Sequence, residues 1–191
     1  MSSSNFLKVT PMPLFPNKSP RETDKHLTSK EKKYVANIDR ALTVFDSVDE
    51  WADYISYLGK LQKALQSNPE PETNRWIPQE YAISKTLSKC LSSKLPSGVH
   101  RKAIEVYSIV FGILGFDELS NHINIWLPGV LPLMSYASIS VKPELIDLFN
   151  NYLVKIDPRA LRITFKSMLL KTAQQRLSLL AMLVFMYHHI P

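Results

Sequence analysis

From residue 29 onward the apolar residues of this chain recur at intervals of three and four, almost without a break. Tyr34, Ile38, Leu42 and Phe45 follow one such stripe, and Trp51, Tyr54, Ile55, Leu58, Leu61 and Leu65 follow the next. That spacing is the period of an α-helix with one buried face. No segment shows the apolar–polar alternation of a half-buried strand between turn signals. Glycine is scarce, at 5 of 191 residues, which disfavours Gly-rich phosphate loops and tight-turned barrels. The 13 prolines suit helix starts. The expected fold is all-α, about seven to nine helices joined by short loops.

Local signals suggest the boundaries. After Phe45, Asp46 and Ser47 break the stripe. Ser47 then offers an N-cap, with Glu50 three residues on, so Trp51 opens a second helix. The short step predicts an antiparallel hairpin. Residues 67–77 are a polar, proline-containing loop, and Pro78 reads as the first residue of a helix running to about Ser93. Pro96 stops that text, Ser97 is the predicted cap of the next helix, and residues 103–114 (AIEVYSIVFGIL) are apolar nearly all round. A helix with that character must be covered on most sides. Gly115 is a predicted C-cap. A short helix is expected over Asp117–Ile125, another opening at Pro128, and another capped by Ser140 with Pro143 in its first turn. Asp157–Pro158 repeats the cap-then-proline pattern ahead of Leu161, Phe165, Met168 and Leu169. Residues 173–189 read as a final helix. Successive hairpins suggest an armadillo/HEAT-like α-solenoid. No strict repeat occurs at 35–47 residues, so an irregular helical bundle is the alternative.

Residues 1–27, with Pro11, Pro13, Pro16 and Pro20 among polar residues, lack a sustained apolar period and are expected to be a disordered leader. No secretory signal is visible, and Ser2 excludes N-myristoylation. The most apolar run, Leu177–Tyr187, has 11 residues, short of the roughly 20 a bilayer-spanning helix needs. These features predict a cytosolic protein.

Enzymatic motifs are missing: there is no GxxxxGK[ST], GxGxxG, HExxH or GxSxG. One cysteine, Cys90, excludes an intramolecular disulfide and a cysteine-based zinc site. His188 and His189 point about 100° apart on a helix, which suits no shared metal. Asp46, Asp49, Glu50 and Asp53 cluster around a helix start, where acidic groups contribute about 0.3–1 kcal/mol each. Trp51, Tyr54, Tyr57 and Trp126 read as core before they read as a ligand box. No catalytic residue, metal or cofactor is expected. The basic residues are spread over many helices without a recognition signature, so nucleic acid is not an expected partner.

Three stretches carry more than helical period: FDSVDEWADYISYLGKLQKALQ (45–66), LPSGVHRKAIEVYSIVF (95–111) and WLPGVLPLMSYASISVKPELIDLFNNYL (126–153). In order and spacing they resemble the N-terminal domain of the Dopey family, over roughly residues 30–170. Trp51, Pro96, Gly98, Pro128, Gly129, Pro132 and Pro143 stand as signature positions within these stretches. The resemblance implies a helical, armadillo-like, non-enzymatic domain (28–171) of very large proteins peripherally associated with Golgi and endosome membranes. It implies a role in endosome-to-Golgi transport and Golgi organisation. Implied partners are a Mon2-type scaffold, an aminophospholipid flippase and kinesin light chain, together with phosphoinositide-bearing membrane. Residues 172–191 depart from the family text, as if a displaced or truncated segment were joined near Lys171–Thr172.

The charge is +6, from 23 basic and 17 acidic residues. Residues 151–191 hold six basic residues and one acidic, leaving 17 against 16 for residues 1–150. Two basic features stand out. Ser97, His100, Arg101 and Lys102 occupy a helix start, where free N–H groups bind anions although cations are disfavoured by the dipole. These residues are either an anion site or structurally paired. Arg159, Arg162 and Lys166, at spacings of three and four, share one helix face. A basic face beside an apolar one is the pattern of an interfacial helix, and equally of a solvated solenoid helix. The two functional readings are a scaffold or adaptor domain meeting anionic membrane and protein partners, and a lipid-binding or lipid-transfer module built around the apolar helix 103–114.

Overall fold

The computed structural model describes residues 27–169 together with Leu180 and Val184. The leader over residues 1–26, the final helix of residues 173–189, the Lys171–Thr172 junction and the His188–His189 pair lie outside the described residues, apart from the helical, exposed Leu180 and Val184. Among the described residues there are six α-helices and no strand.

Helix α1 (Ser29–Val44) begins at Thr28, whose Oγ1 accepts from the Glu31 N–H at 3.2 Å while the Glu31 carboxylate accepts from the Thr28 N–H at 2.8 Å. This reciprocal cap satisfies two donors that a helix start otherwise leaves open. The Thr28 N–H foremost, and then the Thr28 hydroxyl donating to the same carboxylate at 2.8 Å, hold the Glu31 carboxyl below its ordinary range. Tyr34, Ile38 and Ala41 form the buried stripe. A 3-10 turn, Phe45–Ser47, then bends the chain toward α2 (Trp51–Leu65). Ser47 is not the cap of α2: its hydroxyl donates to the Val44 carbonyl at 2.8 Å, inside the turn, and the cap position falls on Glu50. The Glu50 N–H donates to Asp53 at 3.1 Å.

The two helices are antiparallel. Phe45, at the end of α1, meets Tyr54 and Tyr57 near the start of α2, and Asn37 on α1 donates to Ser67 beyond its end. Leu58, Leu61 and Leu65 are buried as their stripe requires, but Trp51 is 60% exposed. It lies on the first turn, one turn ahead of Tyr54, the first aromatic of α2 that meets Phe45. The loop that follows folds back on α1. Asn68 donates to the Asn74 carbonyl at 3.0 Å, and Trp76 sets its edge on Tyr34.

Pro78 does not open the next helix. It is buried two residues ahead of α3 (Glu80–Cys90), whose cap residue Gln79 adopts a left-handed backbone, φ 54°. α3 ends at Cys90, short of Ser93, and Ser97 is likewise not a cap. The Val99 and His100 N–H groups donate to the Pro96 carbonyl, which puts Ser97 inside the first turn of α4 (Ser97–Val130).

Helix α4 is the spine, packing on α2, α3, α5 and α6. Its apolar circumference over residues 103–114 is taken up by these neighbours, with Tyr107, Val110 and Phe111 fully buried. Gly115 interrupts it at φ 64°, ψ 179°, a conformation open essentially to glycine alone. Beyond the bend the second arm runs on as one piece, so the short helix predicted over Asp117–Ile125 and the helix start predicted at Pro128 are both replaced. Proline inside a helix leaves a carbonyl unbonded one turn back. Here that carbonyl belongs to the exposed Asn124, and the adjacent Ile125 carbonyl receives the Ser84 hydroxyl of α3 at 2.7 Å. The helix therefore continues through Pro128 at little cost.

After a 3-10 turn, Leu131–Ser135, that contains Pro132, α5 (Lys142–Asn151) starts with Pro143 in its first turn. Its cap position is Val141, not Ser140, whose hydroxyl instead sits 3.0 Å from that of Ser138. α6 (Pro158–Leu169) has Pro158 as its first residue, and Asp157 accepts from the Arg159 N–H at 2.9 Å. The core gathers between the arms of α4 and its neighbours, centred on Trp126, Tyr107, Phe111 and Tyr57.

Candidate functional site

The start of α4 carries the first basic group. His100 is a core residue, 5% exposed, with Nε2 at 2.9 Å from the Ser92 carbonyl and its ring edge-on to Tyr136. Arg101 reaches Glu144 on α5 through Nε at 2.7 Å and Nη2 at 2.6 Å. Lys102 reaches Glu105 at 2.7 Å and the Gln62 side-chain carbonyl of α2 at 2.6 Å. The Lys102 hydrogen bond, helped by the Gln62 amide against partial burial, holds the Glu105 carboxyl below its usual range. Two cations at a helix N-terminus oppose the dipole, and here each is offset by a carboxylate. These pairs join α4 to α5 and α2. They border a groove of about 580 Å³ with Ile55, Ile104 and Leu148 on its apolar side. Ser97 and Gly98 are exposed beside it.

The second group is laid out differently. Arg159, Arg162 and Lys166 are all exposed on α6, while Leu161, Thr164 and Met168 are buried. No ion pair among the described residues engages any of the three. Ile163 stands 70% exposed, at an angle of about 40° from Arg159 on the helix. The Asp157 N–H donates to Ser120, and Ser120 donates back one turn to the Phe116 carbonyl. The start of α6 therefore lies beside the Gly115 bend, where Lys155 sits 5.8 Å over the half-exposed Phe116 ring. The sequence put these cations on one face. It did not show that Ile163, at the same spacing, is exposed, or that the face adjoins the bend.

The signature positions divide. Gly129 is buried where two helices close up: a Cβ there would stand 2.4 Å from the Tyr107 hydroxyl and 3.2 Å from the Ser88 Cβ. Pro128 and Pro132 are half-buried, whereas Trp51, Pro96, Gly98 and Pro143 are exposed. Cys90 is fully buried, and burial pushes its thiol up to about 12. Among the described residues no three His, Cys, Asp or Glu side chains group around a possible metal position. No helix among them is long and apolar enough to cross a membrane.

What these features define is an all-α domain of helices packed around a bent central spine, with basic side chains displayed outward and no metal-type cluster among the described residues. The chain matches the family model "Dopey, N-terminal" over residues 28–174, and it belongs to the Dopey family. It is 47% identical over 148 residues to Protein DOP1 of Saccharomyces cerevisiae, covering 76% of this chain and 9% of that protein. It is 37% identical over 140 residues to Protein dop1 of Emericella nidulans, covering 73% and 7%. With Protein DOP1B of Mus musculus the identity is 44% over 125 residues, covering 65% and 5%. The chain thus spans less than a tenth of the length of these relatives. No solved structure matches it.

Proposed function

We propose that this domain is a non-enzymatic scaffold in vesicle-mediated protein transport between endosomes and Golgi, held peripherally on anionic membrane through the outer face of α6. The carrying observation is that Arg159, Arg162 and Lys166 are exposed, with no ion pair among the described residues, beside the exposed Ile163. Cations already neutralised by a carboxylate gain little from an anionic leaflet, which favours α6 over Arg101 and Lys102 as the membrane face. Each free Lys or Arg near such a leaflet contributes about 1 kcal/mol, so three contribute roughly a hundredfold in binding. The helix faces away from α6 are the surfaces for protein partners, for which the family resemblance suggests a Mon2-type scaffold, an aminophospholipid flippase and kinesin light chain.

Flotation with phosphatidylserine vesicles, and with vesicles carrying a phosphoinositide, tests the membrane face. R159E/R162E/K166E is expected to abolish association at 0.1 M salt, and Arg101→Gln with Lys102→Gln to leave it largely intact. Wild-type flotation unaffected by the α6 reversal refutes the proposal.

A further inference from the structure

A second cationic surface lies between α1 and α2, away from the basic groups of α4 and α6. The two antiparallel helices leave a groove of about 430 Å³. Its rim is Arg40, Lys60 and Lys63, and its floor is Ala41, Val44 and Ala64, with both alanines buried. No carboxylate lines it, and no ion pair among the described residues engages the three cations. Lys33, two turns from Arg40 on the same face of α1, and Lys30, nearly three turns away and turned to the side of that face, are also exposed, extending the cationic edge over roughly 15 Å at the helical rise. The α1 and α2 cations are about twenty or more positions apart in sequence and meet only because the hairpin closes.

We infer that this groove docks an acidic amphipathic helix from a partner protein, its apolar side on Ala41, Val44 and Ala64 and its carboxylates between the two basic rims. A helix is the shape that lies along the seam between two others, and the small floor residues let it approach closely. The chain's own ends do not supply the occupant. Residues 1–26 hold four basic and two acidic residues, and residues 170–191 hold two basic and none acidic. Nor does a second copy fit well. Its exposed acidic turn, Asp49, Glu50, Trp51 and Asp53, spans only five residues around the start of α2, too short to lie along a cationic edge of roughly 15 Å. A bilayer suits the surface less than a helix does. The floor is recessed and buried, whereas an interfacial face needs protruding apolar side chains of the kind Ile163 provides on α6.

The test uses fluorescence anisotropy at 0.1 M salt. The probe is a labelled 15-residue peptide with leucine at every third and fourth position and glutamate elsewhere. A scrambled isomer of the same composition serves as comparison. R40E/K60E/K63E is expected to weaken binding of the amphipathic peptide by at least roughly tenfold, since rim charge reversal acts on a groove that is otherwise unopposed. R159E/R162E/K166E is expected to bind it like the wild type, and the scrambled peptide to bind several-fold more weakly. Circular dichroism checks folding, and Lys60→Gln with Lys63→Gln, which neutralises without reversing charge, keeps the test valid if the reversal misfolds. Equal binding of both peptides, or binding indifferent to the groove substitutions, overturns the inference. Vesicle flotation lost with the groove variant but kept with the α6 variant also overturns it, and moves the membrane face to this groove. The α6 proposal fails only on its own flotation result, so the two stand or fall separately.

Discussion

Gly129→Ala is the substitution whose outcome the structure specifies most closely. Gly129 lies in the second arm of α4, pressed between the first arm and α3. A methyl group there would meet the Tyr107 hydroxyl at 2.4 Å, the Ser88 Cβ at 3.2 Å and the Ser88 Cα at 3.6 Å. Tyr107 is fully buried, so its ring cannot swing into solvent. Overpacking of this kind costs about 1–3 kcal/mol. Replacing glycine by alanine within a helix recovers up to about 1 kcal/mol. The net expectation is a loss of about 1–2 kcal/mol, or a fall of roughly 2–8 °C in Tm for a domain of this size. The clash is with an oxygen that has no hydrogen-bond partner among the described residues. Tyr107→Phe alone is therefore expected to be neutral or slightly stabilising. The double variant is expected to regain most of the loss, giving a coupling energy of about 1 kcal/mol or more. Thermal and urea unfolding of the four proteins measures the cycle. If Gly129→Ala is as stable as wild type, or if its loss is the same in the Tyr107→Phe background, the close-approach argument is refuted.

Other outcomes follow from the same structure. Gly115→Ala forces an alanine into φ 64°, ψ 179° and is expected to cost about 1–3 kcal/mol in chemical denaturation; the Arg75 guanidinium now at 1.6 Å from that Cβ position can move aside, so the backbone sets the cost. Thr28→Ala removes a working cap and is expected to lose about 0.5–2 kcal/mol and fray the start of α1 in hydrogen exchange, whereas Ser47→Ala, at a hydroxyl that caps no helix, is expected to change stability by under about 0.5 kcal/mol. Cys90, buried and with its thiol pushed up to about 12, is expected to resist thiol reagents at pH 8 in the folded protein and react fully in denaturant; fast labelling of the native form contradicts its burial.

Much of the architecture was legible because the apolar period is long-lived. Tyr34 and Ile38 on α1, Leu58, Leu61 and Leu65 on α2, and Val106, Tyr107, Val110 and Phe111 on the first arm of α4 are buried as the stripe requires. Asp157–Pro158 marks a helix start without help from elsewhere. The serine caps were less informative. Ser47, Ser97 and Ser140 each offer a hydroxyl near a helix start, yet none caps one. A hydroxyl can bond equally well inside a turn, as Ser47 does with Val44, and where the chain commits to helix is decided by what the next turn packs against. Pro128 shows the reverse case: a local stop signal is overridden because its exposed side tolerates a free carbonyl and Ser84 approaches from α3.

The site residues separate along the same line. Arg159, Arg162 and Lys166 share a helix, so their common face follows from residue spacing alone. By the same spacing Arg101 and Lys102 read as either an anion site or structurally paired residues. Glu105, three positions from Lys102 on the same helix, is within reach of the spacing itself, whereas Glu144, 43 positions from Arg101, comes into place only in the folded chain. Arg40, Lys60 and Lys63 form no group in the text because they lie on two helices. By itself the sequence determined helix period, family and the one-sided basic face of α6, since those are properties of single segments. The tertiary structure alone decided that Glu144 neutralises Arg101, where the bent spine closes on Gly129 and which groove stays open, because each depends on residues that the chain brings together only when distant helices pack.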